Sequence, residues 1–185
     1  AMSTAEIGRS LAPAIRSQKI HAICCTGANL EEDLFNLVAK SSYEKIKDWR
    51  SWTAEDDKDL QKRGFNRVTD VAIPEQEAIR HIEKPLIKLW KDADAVGDRR
   101  FPHEYLYDLL LHGNLEFDAD PKDSWLLAAA DANLPIFVPG WEDSTLGNIF
   151  AARVMQGKID QQTIVGGIGY MTELAEWYSQ CTHRL

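Results

Sequence analysis

The sequence predicts an α/β protein: a doubly wound parallel sheet with helices on both faces, incomplete on its C-terminal side. Three observations predict it. Two short apolar runs, residues 20–25 and 134–138, have the length and composition of buried parallel strands. Each runs into a turn that opens a helix, Thr26-Gly27-Ala28 in the first case and Pro139-Gly140-Trp141 in the second. The stretches between carry helical periodicity, and that alternation belongs to doubly wound sheets. The last helix has no strand after it, so a partial sheet is expected. All 185 residues are assigned to part of a single domain.

Taken in order, the first helix is marked by Ile7, Leu11, Ala14 and Ile15 at helical spacing, with Ser3 or Thr4 as its cap and Glu6 in its first turn. The first strand follows at 20–25, its Cys24 and Cys25 expected buried. A second helix over about 29–39 puts Leu30, Leu34, Leu37 and Val38 on its inner face. Residues 41–73 are polar, with Trp49, Trp52 and Phe65, and are expected to be irregular with short helices. The charge run at 55–59 reads as a solvated helix start. Pro74 looks like the first residue of a helix toward Trp90, kinked or broken at Pro85. A polar turn is expected over 92–100. Pro102 then starts a helix with Tyr105, Leu106, Leu109 and Leu110 inward and Gly113 as its stop. Further helices are expected over about 122–131, 145–155 and 167–181, the last with Met171, Leu174, Trp177 and Tyr178 on one side.

Composition excludes several classes of function. Lys and Arg total 21 against 29 Asp and Glu, a net charge of −8, whereas a generic nucleic-acid binder needs a basic face. The acidic balance attracts cations, small polyamines among them. Six Trp, five Tyr and six Phe with 44% apolar residues are too many for a disordered acidic segment. No apolar run reaches the roughly 18–20 residues of a membrane span. No leader pattern is visible, and three Cys without a second ligand cluster read as reduced thiols of a cytoplasmic protein that holds no metal. The five His, including His183, form no metal motif.

Ligands of open α/β sheets sit beyond the carboxyl ends of the strands, so the two strand-to-helix loops are the candidate site. In Thr26-Gly27-Ala28-Asn29-Leu30-Glu31-Glu32-Asp33, Gly27 and Ala28 allow close approach to the backbone, and the helix N-terminus offers free N–H groups to a phosphate. The acidic triplet is suited to a cation or a ribose hydroxyl. The competing reading is structural: small residues make the turn and the acids complement the dipole of their own helix. In the second loop, Asp143 or Ser144 can cap the next helix, yet Trp141, Glu142 and Asp143 in one tight turn exceed what capping needs.

Together these loops, Cys25-Thr26-Gly27-Ala28-Asn29-Leu30-Glu31-Glu32-Asp33 and Pro139-Gly140-Trp141-Glu142-Asp143-Ser144-Thr145-Leu146-Gly147-Asn148, resemble the deoxyhypusine synthase family. Arg63-Gly64-Phe65-Asn66-Arg67-Val68, Pro121-Lys122-Asp123-Ser124-Trp125 and the opening Ala1-Met2-Ser3-Thr4-Ala5-Glu6 resemble its bacterial branch, relatives of the homospermidine synthases. The resemblance implies a Rossmann-like NAD-binding domain and a homotetramer with active sites between subunits. It implies NAD-dependent oxidation of spermidine, release of 1,3-diaminopropane and transfer of the 4-aminobutyl group to an amine, either a small one such as putrescine or a lysine of an acceptor protein. Residue by residue, it assigns Ser3, Thr4, Thr26, Gly27, Ala28, Glu32 and Asp143 to the cofactor, and Glu32 and Asn148 to the polyamine.

Two departures stand out. Asn148 replaces the substrate aspartate of the protein-modifying enzymes, which favours a small-amine acceptor. The family's Gly-rich segment with its imine-forming lysine has no counterpart in the chain, and no catalytic residue is assigned. The chain therefore resembles an interior portion of the family's span, Ala1-Met2 as a tag scar being the alternative. A catalytically silent NAD- or polyamine-binding homologue with an oligomeric or regulatory role is the competing reading. An incomplete sheet is expected to be unstable alone or held in an assembly.

Overall fold

The computed structural model describes residues 2–181, so Ala1 and His183 lie outside the described residues. It is a mixed α/β structure, predominantly helical, with two small sheets. Strands β1 (Ile23–Cys24) and β5 (Ile136–Phe137) pair in parallel, Ile23 opposite Ile136 and Cys24 opposite Phe137. The full doubly wound sheet is not shown; among the described residues the parallel sheet has these two strands. Pro135 explains where the pairing begins: it accepts from the Ile23 N–H at 3.0 Å but has no N–H to return.

Eight helices, α1 (Gly8–Arg16), α2 (Gly27–Ala39), α3 (Ala54–Lys62), α4 (His81–Val96), α5 (Pro102–His112), α6 (Trp125–Asp131), α7 (Thr145–Met155) and α8 (Gly167–Gln180), complete the described fold with a few single turns. The main core buries Leu34 and Phe35 of α2, Ile82, Leu86 and Trp90 of α4, Tyr105 and Leu109 of α5, Trp125 and Leu126 of α6, and Tyr170 of α8. Trp90 meets Phe150 edge-on at 5.1 Å, an arrangement that favours the ring quadrupoles and joins α4 to α7.

The polar middle is more ordered than its composition predicts. Strands β2 (Glu44–Lys45), β3 (Phe65–Val68) and β4 (Val71–Pro74) form an antiparallel sheet in the order β2-β4-β3. Ile46, Leu60 and Ala72 make a separate small core beneath Trp49, Trp52 and Phe65. The acidic run does start a helix: Thr53 and Asp56 close a capping box at the head of α3.

Other expectations need correction. Pro74 ends β4 instead of opening a helix, and a π-helical turn (Glu75–Arg80) leads into α4. Pro85 lies inside a continuous α4, and the irregularity falls a turn earlier. That helix runs to Val96, where Gly97 in the left-handed region (φ 68°) stops it, so no turn begins at 92. Cys24 is exposed, since β1 has a partner on one edge and its outward residue is uncovered. Ser3 and Thr4 do not cap α1, whose first turn lacks a side-chain cap. On α8, Leu174 and Trp177 pack inward, but Met171 and Tyr178 stay about half exposed. No helix among the described residues is long and apolar enough to cross a membrane.

Candidate functional site

Parallel pairing of β1 with β5 sets their carboxyl ends side by side, and the two loops that follow touch. The contact is at Gly27: a Cβ there would lie 2.7 Å from Ser144 Cβ and 3.0 Å from the Trp141 carbonyl oxygen. The absent side chain thus lets one loop pack on the other, a packing role for Gly27 beside the approach of a ligand to its backbone that the sequence led us to expect. Thr26 is the N-cap of α2, its hydroxyl accepting from the Asn29 N–H at 3.3 Å. The amides of Gly27 and Ala28 precede the intrahelical bonding.

Each member of the acidic triplet has a different task. Glu31 reaches across to α7, where its carboxylate accepts from the amides of Thr145 (2.9 Å) and Leu146 (2.8 Å). Burial raises its pKa, and those two amides oppose the rise. Asp33 does the same for α6, accepting from the Ser124 hydroxyl (2.6 Å) and the Leu126 amide (3.0 Å). Burial pushes its carboxyl up to about 6. Both side chains act on the dipoles of other helices, not their own. Ser144, with its hydroxyl accepting from Gly147, caps α7 locally, so that helix N-terminus has no room for a phosphate.

Glu32, between these anchors, lines a cavity of about 720 Å³. The Thr4 hydroxyl donates to its Oε2 at 2.5 Å. Ser3 is buried: its hydroxyl donates to the Asn29 carbonyl (2.6 Å) and accepts from the Trp125 indole N–H (3.0 Å). The opening segment is therefore sewn to α2 by side chains. Asn148 lines the same cavity one turn into α7, its amide donating to the Ser144 carbonyl at 2.8 Å. In the second loop, Trp141 is core, and Glu142 accepts from the Gly167 amide at 2.7 Å to cap α8. Asp143 remains exposed on the turn beside the Gly27 contact.

The structure thus gathers Glu32 and Asn148 around the cavity, with Thr4 bonded to Glu32, and Thr26, Gly27, Ala28 and Asp143 on the touching loops, with Ser3 behind Asn29. Sequence reasoning missed the rest of the cavity wall. Glu83 is buried and accepts from both Arg80 and Arg153, the latter at 2.5 Å. Arg80 also pairs with Glu75 at 2.6 Å. Burial alone would raise the Glu83 pKa, but the hydrogen bonds from Arg80 and Arg153 outweigh it and hold the carboxyl below the usual range. The spacing of Arg80 and Glu83 is a legible helical pair. The bond from Arg153, 70 residues away, has no local signal.

An amine with a chain of methylenes suits this wall, which mixes carboxylates with Phe35, Ile79, Ile149 and Ala152. The neighbouring loops combine the free head amides of α2 with an exposed threonine, Thr26, and an exposed carboxylate, Asp143. The family model described as deoxyhypusine synthase matches residues 1–179. A "Probable deoxyhypusine synthase 2" of Methanosarcina acetivorans is 29% identical over 180 residues, covering 95% of this chain and 49% of that protein. One of the same name from Methanosarcina mazei is also 29% identical, over 95% of this chain and 48% of its own length. A "Probable deoxyhypusine synthase" of Pyrobaculum aerophilum is 30% identical over 74% of this chain and 42% of its own. The chain spans about half the length of the curated relatives it matches.

Proposed function

The chain belongs to the deoxyhypusine synthase family, and on that premise we propose that it serves NAD-dependent transfer of the 4-aminobutyl group of spermidine to an amine. The observation that carries the reading is the shared cavity of Glu32 and Asn148, set directly behind the two touching loops. Thr26, Gly27, Ala28 and Asp143 would hold NAD, with Ser3 and Thr4 fixing the segment beside it. NAD, when bound, supplies the hydride acceptor. Glu32 binds and orients the ammonium end of the polyamine, held in place by the Thr4 hydroxyl. Asn148 contributes dipoles but no charge, which supports a small amine such as putrescine as acceptor over a protein lysine. Together with the 63–68 and 121–125 segments it supports the bacterial, homospermidine synthase-like branch. A homotetramer in the cytoplasm, with one domain built from these residues, completes the reading.

One observation favours a second reading. No lysine is among the described residues lining the cavity, so these residues supply no imine-forming amine there. A homologue that binds NAD and polyamine without turnover, in an oligomeric or regulatory role, fits that wall. NAD-dependent release of 1,3-diaminopropane from spermidine separates the two. In both, Glu32→Gln lowers spermidine affinity by about tenfold in calorimetry, the scale of one charge-assisted hydrogen bond. Unchanged affinity in a folded variant refutes the assignment of Glu32.

A further inference from the structure

We infer that Asn66 is a further amine-binding residue of the cavity, its carboxamide oxygen accepting from a second nitrogen of the polyamine whose first ammonium sits on Glu32. The inference rests on reading the cavity as the amine site, and it gives the antiparallel sheet a part in that site. Two parts of the fold line the cavity. The main body supplies Glu32, Phe35 and Ile149, and the start of β3 with the turn before it supplies Gly64, Phe65 and Asn66. Gly64, in the left-handed region (φ 85°), turns the chain from α3 into β3. Its carbonyl accepts from the Glu75 N–H at 2.8 Å, which ties the end of β4 to that turn.

The other carboxylates of the wall are already taken. Glu75 gives Oε1 to Arg80 at 2.6 Å and Oε2 to Asn66, and Glu83 is shared by Arg80 and Arg153. Asn66 differs from both. Its Nδ2 donates to Glu75 Oε2 at 2.5 Å, and Glu75 is itself fixed through its backbone and by Arg80. A carboxylate accepts from an amide nitrogen and repels an amide oxygen, so the orientation of the carboxamide follows: nitrogen toward Glu75, oxygen away from it. That oxygen has no donor among the described residues, on a half-buried side chain that lines the cavity. A half-buried acceptor calls for a donor, and a protonated amine brings donors alone. The guanidinium of the same strand is occupied elsewhere, Arg67 lying on Asp57. Spermidine can therefore set one ammonium against Glu32, lay its methylenes over Phe35 and Phe65, and donate from a second nitrogen to Asn66. The second nitrogen is recognised by a dipole, the first by a charge.

The test is calorimetric titration of spermidine and of n-butylamine, with NAD present, into wild type, Asn66→Ala, Asn66→Leu, Asn66→Asp and Glu32→Gln. Butylamine has one nitrogen and can use Glu32 only. Both neutral variants of Asn66 are included so that a folding failure of one leaves the other. Spermidine affinity should fall about tenfold in Asn66→Ala and Asn66→Leu, the scale of one charge-assisted hydrogen bond, while butylamine affinity stays at the wild-type value. Asn66→Asp keeps an acceptor oxygen but cannot donate to Glu75, so it should bind spermidine at least as tightly as wild type. If all three Asn66 variants weaken both amines alike, Asn66 only ties the sheet to Glu75 and the inference falls. Spermidine binding that is lost in Glu32→Gln but untouched in the Asn66 variants overturns the part of Asn66 alone. Spermidine binding that ignores Glu32→Gln, or no saturable binding by wild type, overturns the amine-site reading and this inference with it.

Discussion

Two buried groups, Asp33 and His103, should push stability in opposite directions over the same pH range. Burial raises the Asp33 carboxyl from 3.8 to about 6, against the opposing hydrogen bonds from Ser124, Leu126 and Trp125. Its native state holds a proton that the unfolded state has lost, so its contribution falls as pH rises from about 4 to 6 and is constant above. At about 1.4 kcal/mol per pH unit, the gap is worth about 3 kcal/mol. His103 is the reverse. Burial lowers its imidazole from 6.5 to about 4, and its Nδ1 lies 2.8 Å from the Tyr170 hydroxyl. Here the unfolded state binds the extra proton, so stability falls as pH drops from about 6.5 to 4, again by about 3 kcal/mol. Asp33→Asn and His103→Asn keep an acceptor at each position and remove the titration. Urea unfolding followed by tryptophan fluorescence from pH 4 to 7 gives the profiles. Relative to wild type, Asp33→Asn should lose stability toward low pH and His103→Asn should gain it. If both differences stay flat across the range, or their signs are exchanged, the burial argument is wrong at both positions.

Asp143→Ala should weaken NAD binding by about tenfold with no change in unfolding midpoint, since this exposed carboxylate supports no part of the fold; equal calorimetric affinity removes Asp143 from the cofactor set. Gly27→Ala should cost about 1–3 kcal/mol in urea unfolding, because the new methyl meets Ser144 Cβ at 2.7 Å and the Trp141 carbonyl at 3.0 Å, neither the end of a flexible chain. A variant as stable as wild type would mean that the two loops do not touch there.

What was legible in the sequence is what local rules govern. The helix from Pro102 and the Ser144 start of α7 follow from proline and cap chemistry a few residues away, and Gly113 ends its helix as expected, though with a right-handed φ of −76°. Thr26, Gly27, Ala28 and Asp143 stood out as candidates because they sit on the two strand-to-helix loops, whereas Ser3 and Thr4 lie on the opening segment and came only from the family resemblance. The antiparallel sheet was illegible because its strands are two to four residues long and its core is small, too short for alternation to show. Gly97 was hidden in a charged stretch that reads as a turn although the helix continues through it.

The acidic triplet shows why counting charges near a motif misassigns them. Glu31, Glu32 and Asp33 are consecutive, so on a helix their side chains leave about 100° apart and take different partners. Glu31 holds the N-terminus of α7, and Asp33 holds that of α6. Each is buried, so each costs desolvation that only donors already fixed in space can offset. The two anchors leave Glu32 on a helix pinned from both sides, with Thr4 on its carboxylate. The role proposed for Glu32, orienting an ammonium, would need a carboxylate that does not drift, and rigid neighbours supply that restraint. Loss of either anchor should therefore reach the cavity: Asp33→Asn keeps the hydrogen-bonding shape and should leave amine affinity intact, whereas Asp33→Ala should lower it in calorimetry without touching the ligand. Equal affinity in both folded variants would separate the anchors from the site.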